Sequence, residues 1–351
     1  MNWRILSVWL YILSLSTLYG QEKKSYKAIT VAFYNLENLF DYENDPFTFD
    51  DDRTPEGKDR WTAAHYNKKL IDVSKVLSEV GTDLTGESPL IIGLCEIENQ
   101  RVLQDLVSQE ILKSKNYGII HFDSPDRRGV DVALLYKKGL FTPITYKAVP
   151  LVLYDIENPS KREYTRDQLL VTGLLENERF HIIVNHWPSR RGGEESSRYK
   201  RMKAAALNKR IIDSLFSIDP YSKIITMGDL NDDPIDVSLK EVLGTSDNQN
   251  EVPLKGLFNP MEGMFNKGLG TLAYRDRWSL FDQIILSREL IGKDFSSYRF
   301  YKAGIYNKAY LVQESGPYKG YPFRTYSGST YQGGFSDHFP VYICLIKEII
   351  P

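Results

Sequence analysis

The sequence predicts one α/β domain built on at least two β-sheets, and two observations carry that expectation. First, short apolar runs and helical patterns are mixed in order: "VDVALLY", "LVLY", "QLLVTGLL" and "RFHIIVNHW" follow one another before the next helix. A parallel doubly wound fold would alternate strand and helix regularly. Second, the chain of 351 residues is 42% hydrophobic and 13% aromatic, with 23 tyrosines, a composition that suits pleated surfaces around a large core. No internal repeat and no linker interrupts residues 28–347. One domain over residues 26–348 is therefore expected, and a monomer.

The elements follow in order. Residues 1–20 read as an export signal: Arg4 supplies one positive charge, "ILSVWLYILSLSTLYG" runs apolar without a charge, and Gly20 ends it before "QEKK". An uncleaved anchor is the alternative, and with no cysteine nearby a bacterial lipoprotein anchor is not expected. Cleavage would leave a mature chain without a membrane span, periplasmic or secreted. "AITVAFYN" (28–35) is the first strand. The acidic, breaker-rich stretch 41–60 reads as a surface loop, with a calcium site the lesser reading. Leu70, Val73, Val76 and Leu77 give residues 61–80 helical spacing. "PLIIGLCEI" (89–97) is a strand, followed by a helix from Gln100 to about Leu112. After the four clustered strands come a helix from Ser196 to Phe216 and the strand "KIITMGD" (223–229). Residues 244–276 look irregular, and "SLFDQIILS" (279–287) and "HFPVYICLI" (338–346) close the core. Cys95 and Cys344 both sit in apolar strands and read as free, inert thiols.

Polar residues gather at the strand ends: Asn35, Glu96 and Glu98, His186, Asp229 and Asn231, and Asp337-His338. Each alone could be an ordinary turn former. Asp282 is different, because a carboxylate inside an apolar strand is costly without a partner, and a histidine is the natural one.

Taken together and in this order, "YNLEN", "LCEIEN", "NHWPS", "GDLND", "LFDQIILS" and "SDH" resemble the endonuclease/exonuclease/phosphatase family over nearly all of residues 28–347. The resemblance implies a DNase I-like four-layer α/β sandwich, two packed mixed β-sheets flanked by helices. It implies that Asn35 and Glu96 hold a divalent cation with Asp337 close by, and that Asp229 and Asn231 orient the attacking water. It further implies that His338 bonds the scissile phosphate, that Asp282 holds the His338 imidazole, and that His186 works near the leaving group. Such an oxygen-rich set suits Mg²⁺, with Mn²⁺ or Ca²⁺ as alternatives. Glu98, one strand period past Glu96, is expected on the same side as an extra ligand of second rank.

The net charge of −2 excludes a generally basic nucleic-acid binder, so any polyanion site must be local. Candidate phosphate contacts are Arg128 of "DRRG", Arg190 and Arg191 of "SRRGG", and Arg166 of "YTRDQ". Trp187 reads first as core packing, then as a base-stacking or lipid-dipping residue, and the aromatic stretch 321–334 keeps a lipid substrate open. The leading reading is an exported Mg²⁺-dependent phosphodiesterase, a nuclease acting on DNA or RNA. The alternatives are a sphingomyelinase-like phospholipase C and an inactive binding module that retains the fold.

Overall fold

The computed structural model describes residues 24–349, so the export segment lies outside the described residues. The chain first lays down β1 (Tyr26–Leu39), β2 (Ile91–Ile97), β3 (Tyr117–His121) and β4 (Asp131–Lys137). It then builds a second sheet from β5 (Phe141–Val149), β6 (Gln168–Leu175), β7 (Glu178–His186), β8 (Lys223–Asp229), β9 (Thr245–Ser246), β10 (Leu257–Phe258) and β11 (Asp282–Ser287). Finally β12 (Arg299–Ile305) and β13 (Val341–Glu348) return to the first sheet. The strand orders are β12-β13-β1-β2-β4-β3 and β9-β10-β11-β8-β7-β6-β5, both with mixed directions.

Three apolar clusters define four layers. One lies between the sheets and includes Val31, Phe33, Cys95, Val184, Met227, Ile284 and Ile343. A second packs the outer face of the first sheet on the helices α1 (Ala63–Glu79) and α2 (Gln100–Val107), through Ala32, Leu70, Val73, Leu77 and Leu103. A third packs the second sheet on α3 (Glu194–Ile218), through Ile183, Ile212, Leu215, Ile224 and Ile285. Both sheets are therefore apolar on two faces, which is why their strands read as near-continuous hydrophobic runs.

Thr62 caps α1 by accepting from the His65 N–H, and Asn99 caps α2 by accepting from the Val102 N–H. The helix expected to reach Leu112 stops at Val107 and restarts as one turn, Glu110–Lys113. The strand expected at 151–154 shrinks to Leu153–Tyr154, paired in a small hairpin with Arg162–Glu163. Cys95 and Cys344 are free and buried, and lie in β2 and β13 on opposite sides of β1. No described helix is long and apolar enough to cross a membrane.

Gly228 matters for the site, because a Cβ there would lie 2.3 Å from the Asn185 carbonyl oxygen of the paired strand β7. A backbone oxygen cannot swing aside as a side chain can. Gly228→Ala is expected to lower stability by about 1–3 kcal/mol in a urea melt. Gly263→Ala, in a short helix with nothing within 4 Å, should cost nothing.

Candidate active site

The second sheet contributes a row of three strand residues. Asp229 of β8 stands opposite Asp282 of β11 on one side and His186 of β7 on the other. The first sheet contributes Asn35 near the end of β1, Glu96 of β2, and Asp337-His338 just ahead of β13. Two hydrogen bonds join these sets across the sandwich. Asn35 Nδ2 donates to Asp229 Oδ2 at 3.0 Å, and His338 Nδ1 lies 2.6 Å from Asp282 Oδ2.

Local backbone irregularities aim these groups. The β2–β4 register slips between Cys95 and Ile97, and Glu96 sits in that bulge with φ +59°. Its Oε2 accepts from the Asn38 N–H at 2.9 Å. Its Oε1 faces Arg128 at 3.9 Å and His186 Nε2 at 3.8 Å, beyond hydrogen-bond reach. The bulge also breaks the alternation that would put Glu98 on the same side: Glu98 Oε2 instead accepts from the Asp41 N–H at 2.6 Å. Asn231 has φ +51°, a conformation asparagine tolerates, and its Nδ2 donates to the Trp187 carbonyl at 3.0 Å. Asp229 Oδ1 receives the Asn231 N–H at 3.0 Å.

The two site histidines are driven apart electrically. Burial opposes charge on His338, but Asp282 at 2.6 Å outweighs it and holds the ring protonated well above the usual histidine range. Asp282 itself is fully buried. His186 is held neutral, well below that range, by burial and then by the charges of Arg166, Arg128 and His338. Burial pushes Asp229 up to about 7, with His338 opposing and Asp282 adding to the rise.

The other expected residues fall into two groups. Arg128, Arg166 and Arg191 line a cleft of about 660 Å³ beside His186. Arg190 does not serve as a phosphate contact in this arrangement, because its donors are taken within the chain. Nε donates to the Asn231 carbonyl at 2.9 Å, Nη1 to Glu194 at 2.9 Å, and Nη2 to Asp236 at 2.7 Å. With the fully buried Arg201, which bonds Asp232, it braces the turn after Asp229. Trp187 is 1% exposed and donates to Asn185 Oδ1, so it is a core residue, not a stacking or lipid-dipping one. The aromatics of 321–334 also turn inward: Tyr326 and Tyr331 pack on Trp61, and Tyr331 stacks on His65.

Two residues escaped the sequence reading. Lys69 is 1% exposed, and its ammonium donates to Thr325 Oγ1 and the Phe335 carbonyl, both at 2.5 Å. Glu37 accepts from the Thr325 and Tyr326 N–H groups at 2.5 and 3.3 Å. Burial, partly offset by Glu37, lowers Lys69 to about 8. Together they clamp segment 325–335 beside Asp337. The signal was present: Lys69 lies on the apolar stripe of α1 with Tyr66, Val73 and Val76.

An all-oxygen set of Asn35, Glu96 and Asp337 suits a hard divalent cation, and Glu96 Oε1 is an unbonded carboxylate oxygen. Asp229, Asp282 and His338 also bring ligand atoms within 4.8 Å of one another. That trio is disfavoured as a cage, because the protonated His338 is engaged with Asp282.

The chain belongs to the endonuclease/exonuclease/phosphatase family, whose profile matches residues 30–347. No curated protein matches it significantly. Among solved structures, it resembles TDP2 of Caenorhabditis elegans at 14% identity and a TM-score of 0.55, covering 91% of this chain and 97% of that one. An endonuclease/exonuclease/phosphatase family protein from Bacteroides thetaiotaomicron is 17% identical with a TM-score of 0.52, over 93% and 100% of the two chains. D. rerio TDP2, solved with a single-strand DNA product, is 12% identical with a TM-score of 0.52, over 91% and 98%. These likenesses show a shared DNase I-like fold.

Two outcomes are expected. Asp282→Asn and His338→Ala should be non-additive, the double mutant losing no more turnover than His338→Ala alone; multiplied losses would mean the pair is uncoupled. Lys69→Met should cost about 1–3 kcal/mol in a denaturant melt by leaving the Phe335 carbonyl without its donor and removing the nearby charge that offsets burial of Glu37, and Lys69→Met/Glu37→Gln should recover part of that.

Proposed function

We propose that this chain is a divalent-metal-dependent phosphodiesterase that cleaves nucleic-acid strands, exported through residues 1–20. The observation that carries the reading is the meeting of Asn35, Glu96, Asp229, Asn231, Asp282 and His338 at one mouth of the sandwich, joined across both sheets. A binding module has no use for a buried carboxylate that keeps an imidazole charged.

Asn35, Glu96 and Asp337 would hold the cation, Mg²⁺ by the hardness of the donors, and it would neutralise charge on the phosphoryl oxygens. The chain's own groups do the rest. Protonated His338 presents Nε2–H toward the site, 4.0 Å from Asp229, as a donor for a phosphoryl oxygen. Asp229, pushed up to about 7, can accept the attacking water's proton near neutrality. Asn231 is tethered through Nδ2, which leaves Oδ1 to orient that water. Neutral His186, 3.7 Å from Asp229 and flanked by Arg128, would donate an imidazole N–H to the leaving oxygen.

A lipid substrate is less well supported. Trp187 and Tyr326 are buried, and the cleft beside His186 is lined by seven arginines and lysines against two carboxylates. That charge suits a second phosphate and repels a quaternary ammonium headgroup.

The test pairs activity with binding. EDTA should abolish cleavage of an oligonucleotide and Mg²⁺ should restore it. Mg²⁺ should also raise the thermal midpoint of the wild type and not of Glu96→Gln, whose turnover should fall by about 10² or more. A Glu96→Gln protein that stays active and is still stabilised by Mg²⁺ would remove Glu96 from the metal site.

A further inference from the structure

The cleft beside His186 has Arg166 in its floor. Arg166 is 6% exposed, with Nη1 bonded to Asp126 at 3.0 Å and Nη2 to the Trp187 carbonyl at 2.6 Å. Its Nε–H is buried and finds no partner among the described residues. A buried donor left unpaired is costly and uncommon, and this one belongs to a cleft-lining cation. Around it, Arg128 arrives from the loop before β4, Lys161 and Arg162 from the 153–163 hairpin, Arg191 from the turn after β7, and Lys200 from α3. Asp126 and Glu163 are the opposing carboxylates, and each is already paired, with Arg166 and Lys200 respectively. In a chain of net charge −2 this is a strong local concentration of positive charge.

Position links the cleft to the chemistry. The Trp187 carbonyl that receives Arg166 also receives Asn231, and Arg128 reaches from the cleft to within 3.9 Å of Glu96 Oε1. We infer that this cleft is a second phosphate subsite, taking the phosphate that flanks the scissile one on the His186 side, with Arg166 as its floor. The inference rests on the nuclease reading for the identity of the substrate, though not for the anion itself. Beside it Tyr164, 49% exposed and covered by the Arg162 guanidinium at 4.8 Å, offers a ring face on which the adjoining base can stack. A substrate with a lone diester would leave the subsite empty. The enzyme should therefore prefer strands, or short oligonucleotides whose end carries a phosphate.

Two measurements separate the subsite from the nuclease reading. The first is calorimetric titration of inorganic pyrophosphate in EDTA, where no cation at Glu96 can hold the anion. Wild type should bind, and Arg162→Ala/Arg191→Ala should bind about tenfold more weakly or worse. The charge reversal Lys161→Glu, at an exposed hairpin position, provides a second variant and should weaken binding in the same direction. The second compares kcat/KM on the dinucleotide TpT with pTpT and TpTp. One terminal phosphate, on one end alone, should raise kcat/KM by about tenfold in the wild type, and the gain should largely vanish in the double variant. Equal pyrophosphate affinity in wild type and variants, or no binding, overturns the subsite. A phosphate gain that survives in the variants does so too. Pyrophosphate binding that depends on Arg162 and Arg191, with no cleavage of any nucleotide, overturns the nuclease reading and leaves the subsite standing.

Discussion

Two polar bonds across the mouth of the sandwich hold this molecule's chemistry together: His338 to Asp282, and Asn35 to Asp229. Through the middle of the sandwich the sheets meet through apolar side chains, which set their separation but not the placement of any charge, and at the end remote from the mouth Lys347 of β13 pairs with Glu178 of β7 at 2.8 Å. At the mouth the apolar layer ends, and the buried Asp229 and Asp282 of the second sheet each find a partner on the first. Each sheet thus supplies half of each of these two pairs. The imidazole is charged because Asp282 is buried behind it, and Asp229 is raised because it shares the same dry pocket.

The mouth also gathers the backbone's departures from regularity. Glu37, Asn38, Glu96 and Asn231 all have positive φ, and Glu96 lies in a bulge. Such conformations persist when surroundings over-determine them. Here the bracing is visible: Glu96 is held by Asn38, Asn231 by Asp229 and Trp187, and the following turn by Arg190 and Arg201. Charges that look like substrate contacts in the sequence serve in part as struts.

This explains what the sequence could and could not disclose. The buried strands and most of the polar residues gathered at the mouth were legible, because a polar residue closing an apolar run is conspicuous. The peripheral strands β3, β5 and β12 were not. β5, at the edge of its sheet, is "FTPITYKAV", largely exposed and holding a proline, and it carries no two-faced apolar signal. The orientation of Glu98 failed because alternation assumes an unbulged strand. Arg190 failed for another reason: its partners Asp232 and Asp236 lie more than forty residues away, and only the fold brings them within reach.

The pairing of β1 with β13 has a geographical consequence. Asn35 lies toward the site end of β1, while Tyr26 at the other end stands opposite Glu348. Nine residue-to-residue steps of strand separate them, roughly 30 Å at 3.3 Å per step. Both ends of the described domain therefore emerge side by side at the pole remote from the mouth of the candidate site. The mouth of the candidate site faces away from that pole.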